Sequence, residues 1–381
     1  MQPQSHSSFA DSKNHYLILD GLRGVAAIMV VIFHVFEATA MLAGWKDAMH
    51  VQIINHGYLA VDFFYVLSGF VIGYAYNDRW GTMSLGKFFK RRLIRLHPMV
   101  VFGMLVGAVT FYSQDGTMFP EIAKTSVPHM LLIMLIGMTL IPVTPSMDIR
   151  GWQEMHPLNG PGWSLFFEYI ANMLYALVVR HLPNLVLAIL VFVFGAALIH
   201  YAVTCETGHM AGGWSFNATQ LHVGFIRVLY PFFAGLLLSK VMKPVPVKHA
   251  FLWCSLLIIG SLSLPRFGGT DPQHFWINGL YESLCIVLLF PLIVYLGACG
   301  TLETTKSTQT ARFLGDISYP MYITHYPLIY LYTTWVFDNK IPLSKAMPVG
   351  LLVVLASITL AWAALKFYDL PVRKWLTEKW K

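Results

Sequence analysis

The stretch LILDGLRGVAAIMVVIFHVFEATAML, residues 17–42, indicates the fold class, because it is apolar over a length that crosses a lipid bilayer. Of the 381 residues, 56% are hydrophobic and 12% are charged, about half the charged fraction of a soluble domain. The sequence therefore predicts an all-α integral membrane protein with about ten transmembrane helices. The other spans are expected at residues 58–76, 99–112, 163–179, 185–201, 221–238, 250–264, 280–296, 313–336 and 347–365.

A short apolar segment at residues 130–143 is flanked by proline and decides the topology. The basic stretch 77–97 and the basic tail 366–381 should both be cytoplasmic, because Lys and Arg are enriched in cytoplasmic loops. Both conditions hold only if one apolar segment does not cross, and such short segments are commonly re-entrant or interfacial. We therefore expect a re-entrant or interfacial segment here, with both termini on the cytoplasmic side of the cell (cytoplasmic or inner) membrane.

The rest of the chain adds no second folded unit. Residues 1–16 are polar and lack a signal-peptide pattern, so they predict a cytoplasmic N-terminal segment before a membrane domain at 17–365. The net charge of +7 is explained by basic residues between and after the spans, so nucleic acid is not an expected partner. Paired CxxC spacing is absent from the cysteines, so we expect neither disulfides nor a metal site. The cysteines are Cys205, Cys254, Cys285 and Cys299.

The first span carries ionisable groups at membrane depth. Arg23 and His34 are eleven positions apart, almost three helical turns, so both side chains share one face and lie roughly 16 Å apart along the axis. Arg23 is either a topology anchor or a functional residue. An ionisable group near the membrane centre usually faces a cavity or a partner, which favours a functional His34, although a hydrogen-bonded packing histidine is the alternative.

Two further patches have both a structural and a functional interpretation. Ser68 and Gly69 lie near the middle of the second span, where small residues permit close helix packing or contact a substrate. Arg91, Arg92 and Arg95 follow that span and present forked donors suited to phosphate. Their alternative role is positive-inside charge or contact with anionic lipid.

Taken together, these patches resemble the acyltransferase 3 family of membrane O-acyltransferases, and the resemblance covers almost the whole chain. Its motifs are a basic residue and a histidine separated by ten residues, an SGF tripeptide, an arginine pair, a WSL patch with a glutamate, and a late tyrosine-rich segment that contains His-Pro. The residues that match are Arg23 and His34, Ser68 and Gly69 with Phe70, Arg92 and Arg95, Trp163 and Ser164 with Glu168, and His325 in ISYPMYITHYPL.

The resemblance implies acyl transfer, usually of acetyl from acetyl-CoA, onto sugars of surface polysaccharides or, in some members, onto macrolides or peptides. The predicted topology places Arg92 and Arg95 inside the cell and the WSL patch near the outer end of its helix. Some relatives carry an additional extracytoplasmic hydrolase-like domain, which we expect this chain to lack. Membrane lipids and a carbohydrate or small-molecule hydroxyl acceptor are the expected partners, while the sequence leaves the acyl chain length and the oligomeric state open.

Acyl transfer to a hydroxyl needs a base, and a histidine suits that task, so His34 is the candidate general base. Glu168 is the candidate carboxylate that orients the base or the hydroxyl, although an ion pair between Glu168 and Arg227 is an equal alternative. Asp20 and Asp62 are weaker candidates for that carboxylate. His325 either lines the same cavity or hydrogen-bonds across helices, and the structural role is slightly favoured.

A different class of protein also uses intramembrane Arg, Glu and His, namely proton-coupled transporters and flippases of lipid-linked sugars. Such transporters often contain inverted repeats, and none is visible in this sequence. The sequence therefore favours an enzyme over a transporter.

Overall fold

A computed structural model describes residues 16–43, 53–269 and 271–380 of the chain. Over these ranges the chain forms helices joined by short connections, without a β-strand. The helices are α1 Leu17–Ala43, α2 Ala60–Tyr76, α3 Leu85–Thr110, α4 Val127–Met138, α5 Gly162–Leu177, α6 Asn184–Thr204, α7 Ala218–Val241, α8 Ala250–Ser263, α9 Phe275–Leu284, α10 Phe290–Cys299, α11 Thr305–Asp338, α12 Leu343–Ala364 and α13 Leu370–Lys379. Short π-helical turns join α9 to α10 at Cys285–Leu289 and α12 to α13 at Leu365–Asp369.

Eight helical segments of the described ranges are long and apolar enough to cross a membrane, and α4 and α8 are shorter apolar helices. The prediction of an all-α integral membrane protein is therefore confirmed. Each predicted span corresponds to a helix, including the 34-residue α11, which is too polar to count among the eight. The polar side chains of α11 are buried in the bundle, with Ser318, Thr324 and His325 almost inaccessible.

The expectation of a loop at residues 77–97 is wrong from Leu85 onward. There α3 begins, with the Ser84 hydroxyl accepting from the backbone N–H of Lys87 at 3.3 Å, and the helix continues through the basic cluster to Thr110. An N-cap serine satisfies a backbone donor that would otherwise be left open at the helix start. The predicted span at 99–112 is thus the second half of a longer helix.

The short apolar segment begins and ends earlier than predicted, at Val127–Met138. Ser126 caps this helix, and the left-handed backbone of Leu140 (φ 60°) follows its end. Its 12 residues extend roughly 18 Å, less than the roughly 30 Å of a bilayer core, so α4 does not cross alone.

The sequence predicts a cytoplasmic segment at 1–16 and a cytoplasmic basic tail at 366–381. The tail 366–381 is helical as far as Lys379, in α13. The N-terminal segment 1–16 lies outside the described residues except for Tyr16.

Two pairs of parallel helices form the centre of the bundle. In the first pair, α1 packs along α11, and a Cβ at Gly24 would collide with the Leu314 backbone. In the second, α2 packs along α7, and a Cβ at Gly69 would collide with the Phe232 carbonyl. Glycine is needed at both contacts because the backbones approach so closely. Helices α1 and α11 both begin at one end of the bundle, called the basic end below, and both finish at the opposite end, called the cavity end.

Candidate functional site

A cavity of about 760 Å³ opens among the helices at the cavity end. Its walls come from α1, α2, α5, α7, α9 and α11 and from the loops that precede α5, α7 and α9. Aromatic and ionisable side chains share the lining: Phe33, Tyr58, Trp152, Trp163, Trp214, Phe267, Phe275, Tyr322 and Tyr326 with His34, Glu37, Glu154, Glu206, His209, Arg227 and Arg266. A volume of this size is typical of small-molecule sites.

His34 lies on the cavity wall and forms a dyad with Glu37. The His34 Nδ1 and Glu37 Oε2 atoms are 2.7 Å apart, and both side chains are mostly buried, at 17% and 22% exposure. Because an ionised carboxylate only accepts hydrogen bonds, Nδ1 of His34 carries the hydrogen and donates a hydrogen bond to Glu37. The Nε2 atom of His34 is then left as the basic nitrogen. Sequence analysis missed Glu37 as a site residue, although the i, i+3 spacing on one helix would have indicated the contact.

His325 packs against His34 from α11. The two imidazole rings stack with centroids 5.6 Å apart and planes inclined by 27°. His325 Nδ1 lies 3.1 Å from the Met321 carbonyl and 2.9 Å from the Tyr322 carbonyl, so Nδ1 donates within its own helix. The alternative of a hydrogen bond across helices is therefore wrong for this nitrogen. The Nε2 atom is buried and has no hydrogen-bond partner in the described part of the chain.

Glu168 belongs to a second polar cluster, closer to the basic end. Its Oε1 atom accepts from Arg92 Nη2 at 2.9 Å and from Ser68 Oγ at 2.7 Å. The structure thus joins three predicted site residues from α2, α3 and α5. Arg92 is buried, and its Nε atom lacks a partner within the described ranges. The carboxylate bonded to His34 is Glu37, so the predicted role of Glu168 at the acceptor hydroxyl stays a prediction.

The alternative ion pair between Glu168 and Arg227 is wrong, because Arg227 pairs with Asp62. Arg227 Nη2 and Nε donate to the two Asp62 oxygens at 2.7 and 3.2 Å, and neither side chain is exposed to solvent. Asp62 lies in the first turn of α2, whereas Ser68, the partner of Glu168, lies six residues, roughly 9 Å, farther along it. The two carboxylates therefore occupy different depths in the bundle.

The WSL patch lies between the dyad and the Glu168 cluster. Trp163 lines the cavity, and the Arg227 guanidinium lies 5.1 Å from its ring centroid. The Ser164 hydroxyl is 2.7 Å from the Tyr322 hydroxyl, and Tyr322 also lines the cavity. The Ser164 backbone carbonyl accepts from Tyr65 at 3.0 Å. This patch thus connects α5 to α2 and α11 at the cavity floor.

The loop before α7 is fixed to the cavity rim by a buried cluster that sequence analysis missed. Glu282, fully buried on α9, accepts from the Tyr58 hydroxyl, from Asn278 Nδ2 at 2.7 Å and from the Met210 backbone N–H at 2.6 Å. Burial, together with the nearby Arg266 charge, lowers the pKa of His209 in this loop to about 4. His209 is therefore neutral at physiological pH.

Arginines from three helices converge at the basic end. Arg23 Nε donates to Ser318 Oγ at 2.8 Å, and its Nη2 donates to Asp20 Oδ1 at 3.0 Å. Arg95, on α3, lies within electrostatic range of Arg23, Arg92 and Arg373. Arg91 is partly buried on the same helix.

Arg373 is a member of this cluster that sequence analysis assigned only to the basic tail. Its Nη1 donates to Asp369 Oδ2 at 3.2 Å, and Asp369 is buried in the π-helical turn before α13. Lys90 on α3 donates to the Trp380 backbone carbonyl, so α13 lies against α3. Arginines with forked donors thus share one end of the bundle, a suitable arrangement for phosphate groups: Arg23, Arg91, Arg92, Arg95 and Arg373.

The described ranges contain neither a cluster of metal-ligating side chains nor a disulfide. No three His, Cys, Asp or Glu side chains there are arranged to hold a metal ion. The four cysteines are free thiols, and three of them are buried.

Comparison with known proteins decides the family. A family model described as an acyltransferase domain, of the acyltransferase 3 type, matches residues 16–366. The chain belongs to this acyltransferase family. The match includes every predicted site residue and ends before Arg373.

Two similar proteins share the sequence over different lengths. O-acetyltransferase OatA of Staphylococcus aureus (strain NCTC 8325 / PS 47) is 25% identical over 374 residues, covering 93% of this chain and 57% of OatA. Protein 2 in the picA locus of Rhizobium radiobacter is 32% identical over 168 residues, covering 42% of this chain and 81% of that protein. The chain therefore spans little more than half the length of its OatA relative. No solved structure matches it.

Proposed function

We propose that this chain is a membrane O-acyltransferase that transfers acetyl from acetyl-CoA to a hydroxyl group of a carbohydrate acceptor. The observation that carries the proposal is the His34–Glu37 dyad on the wall of a large cavity, with an arginine cluster at the opposite end of the same helix. Family membership and the name of the OatA relative support hydroxyl acylation. The arginine cluster supports a donor that carries phosphates.

The dyad has the geometry that a general base requires. His34 Nε2 takes the proton of the acceptor hydroxyl while the hydroxyl oxygen forms the new bond to the acyl carbon. As the carbon–sulfur bond of the thioester breaks, the proton passes from His34 to the departing sulfur. Glu37 fixes the tautomer and stabilises the imidazolium that forms between these steps, as the carboxylate does in other base dyads.

The cavity supports a sugar as the acceptor. Trp152, Trp163 and Trp214 offer flat apolar faces for the C–H surface of a sugar ring, and an indole N–H is a donor suited to hydroxyl groups. Glu37 and Glu154 offer oxygens that accept from hydroxyl groups. Aromatic faces combined with a few polar groups also describe ligand sites in general.

Donor binding is proposed at the basic end. Arg92 and Arg95 would contact phosphate groups of acetyl-CoA, with Arg23, Arg91 and Arg373 completing the positive field. The unpartnered Nε of Arg92 fits this role, because a buried donor without a partner is unfavourable until a ligand satisfies it. Glu168 would hold the other side of the Arg92 guanidinium.

Replacing both Arg92 and Arg95 with alanine should weaken binding of acetyl-CoA. Each lost charge-assisted contact should reduce the binding free energy by about 1.5–3 kcal/mol, and lysine should restore little because it lacks the fork. Titration calorimetry on protein in nanodiscs measures this affinity. Lys374→Ala is the matched control, since Lys374 is an exposed cation beside Arg373. Equal donor affinity in the double variant and wild type would leave these arginines only a topological role.

Orientation follows from the proposed donor site, because the basic end should face the cytoplasm. A cysteine introduced at exposed Asp115 or Thr144, on either side of α4, should react with an impermeant maleimide added outside intact cells. A cysteine at Lys374 should react only after the membrane is opened. Labelling on one side of α4 alone would show that α4 crosses and would contradict this topology.

Purified protein mixed with radiolabelled acetyl-CoA and a panel of neutral and acidic glycans tests the function as a whole. We expect acetyl ester on at least one glycan, and we expect His34→Ala to slow its formation by about a hundredfold or more. If no glycan is acetylated while labelled glycan crosses proteoliposome membranes, the chain is a transporter and the proposal fails.

A further inference from the structure

The segment from Asp148 to Pro157, called the acceptor loop below, forms part of the cavity wall near α11. The Asp148 carboxylate accepts from the backbone N–H groups of Arg150, Gly151 and Gln153 at 2.9, 2.9 and 2.7 Å. Gly151 has φ 98° and Gln153 has φ 55°, a left-handed conformation that is unfavourable for a residue with a side chain. This turn brings Trp152 and Glu154 to the cavity lining.

A buried arginine anchors the acceptor loop. The Arg150 guanidinium lies 3.6 Å from the Tyr330 ring centroid and 4.8 Å from that of Phe119. Its Nε donates to the Pro157 carbonyl at 2.9 Å, and the side chain is fully buried. The loop is therefore held to α11 by an arginine enclosed by aromatic rings and is not free to move independently.

The acceptor loop positions the Glu154 carboxylate at the cavity wall. Its Oε2 accepts from the Tyr330 hydroxyl at 2.5 Å and lies 3.8 Å from Arg150 Nε. Its Oε1 lies beside Gly160, where an added Cβ would come within 2.8 Å of that oxygen. Both Glu154 and Gly160 line the cavity. One carboxylate oxygen is thus committed to holding the side chain, and the other lies at the wall.

The charge of Glu37 acts on Glu154, so the two carboxylates are within electrostatic range of each other in the same cavity. Glu37 is engaged by His34, which handles the reacting hydroxyl. Glu154 has no comparable partner in the proposed chemistry. A polyhydroxylated acceptor would engage both positions, whereas a simple alcohol would engage only the dyad.

We propose that Glu154 is a positioning residue for the acceptor, whose Oε1 accepts a hydrogen bond from a second hydroxyl while His34 acts on the first. The inference rests on the proposed function and adds to it a residue that holds a second hydroxyl of the carbohydrate acceptor. It assigns the acceptor loop, rather than a span, as the element that selects which hydroxyl is acetylated.

The protonation of Glu154 should make the KM for the acceptor depend on pH. Burial raises the pKa of Glu154 to about 7, against the lowering effects of the Arg150 charge and the Tyr330 hydrogen bond. The groups that face Glu154 are Arg150 and Asp148 of its own loop, Tyr326 and Tyr330 of α11, and Glu37 of α1. Glu154 is ionised above about pH 7 and protonated below it. Because hydrogen bonds to an ionised acceptor are stronger, the KM for the acceptor should rise as pH falls through 7.

The experiment uses full-length protein in nanodiscs and the first glycan of the panel that wild type acetylates. Glu154→Gln should raise the KM for this glycan by about tenfold or more at pH 8, with kcat and the acetyl-CoA affinity close to wild type. It should also remove the rise of KM between pH 8 and pH 6. Tyr330→Phe, which removes the bond that holds Oε2, should raise KM less and keep the pH dependence. Glu121→Gln changes an exposed carboxylate paired with Lys124 and should change nothing.

A wild-type KM in Glu154→Gln would overturn the inference, and so would a fall in kcat with KM unchanged. A lowered melting temperature with unchanged KM would show that Glu154 only anchors the loop. If wild type acetylates no glycan of the panel, the proposed function itself fails, which is a distinct outcome.

Discussion

Replacing His34 with alanine is expected to lower the rate of acyl transfer by about a hundredfold to ten-thousandfold, the usual contribution of a general base. Donor binding should persist, because the arginine cluster lies at the other end of α1. The measurement is single-turnover transfer at saturating acetyl-CoA between pH 5 and 9, in membranes with matched protein levels.

The variants Glu37→Gln and His325→Gln test how the two neighbours of His34 contribute to its role as the base. Glu37→Gln keeps the shape but removes the charge that stabilises the imidazolium, so we expect a smaller loss than in His34→Ala. His325→Gln removes the ring stacked on His34 without touching Glu37. If His34→Ala retained a near wild-type rate and pH profile, His34 would not be the base and His325 would be tested next.

The second large effect concerns folding rather than catalysis. Arg227→Leu should reduce the free energy of unfolding by about 3–5 kcal/mol, because it leaves the Asp62 carboxylate buried without its partner. The Gly212 and Tyr58 carbonyls would also lose the donors they now receive from Arg227. Thermal unfolding in a mild detergent measures the change.

The double variant Asp62→Leu with Arg227→Leu distinguishes the pair from its separate residues. Removing both charges should restore much of the stability, since apolar replacements of a buried pair are often tolerated. The exposed pair Glu121 and Lys124 is the control, and its disruption should change stability by less than about 1 kcal/mol. A loss in the double variant equal to the sum of the losses in Arg227→Leu and Asp62→Leu would show that the Arg227–Asp62 contact itself contributes little.

The helices were predictable because a membrane span needs a long apolar run, and composition reveals such runs directly. The pairing of charges was not predictable to the same degree. Asp62 and Glu168 both lie in spans, and either could in principle have met Arg227. Which one does depends on the depth and rotation of α2, α5 and α7, which tertiary packing sets and local periodicity does not.

Site residues outside the spans were the least predictable. The basic tail forms a helix that brings Arg373 to the arginine cluster, but its sequence carries no apolar run to indicate docking. Glu154 lies in a loop whose geometry depends on three backbone hydrogen bonds to Asp148 and on a left-handed Gln153. The contact of Glu37 with His34 could be predicted from helical spacing alone, because both residues lie on α1.

The polarity of α11 has a consequence for biogenesis. An isolated helix with so many polar groups partitions poorly into lipid, and α11 is not among the helices apolar enough to be recognised as spans by composition. Its main packing partner is α1, which leaves the ribosome nearly 300 residues earlier. Helix α1 must therefore wait at the translocon or in the membrane until α11 is synthesised. The His34–His325 pair is assembled only when these two distant helices meet.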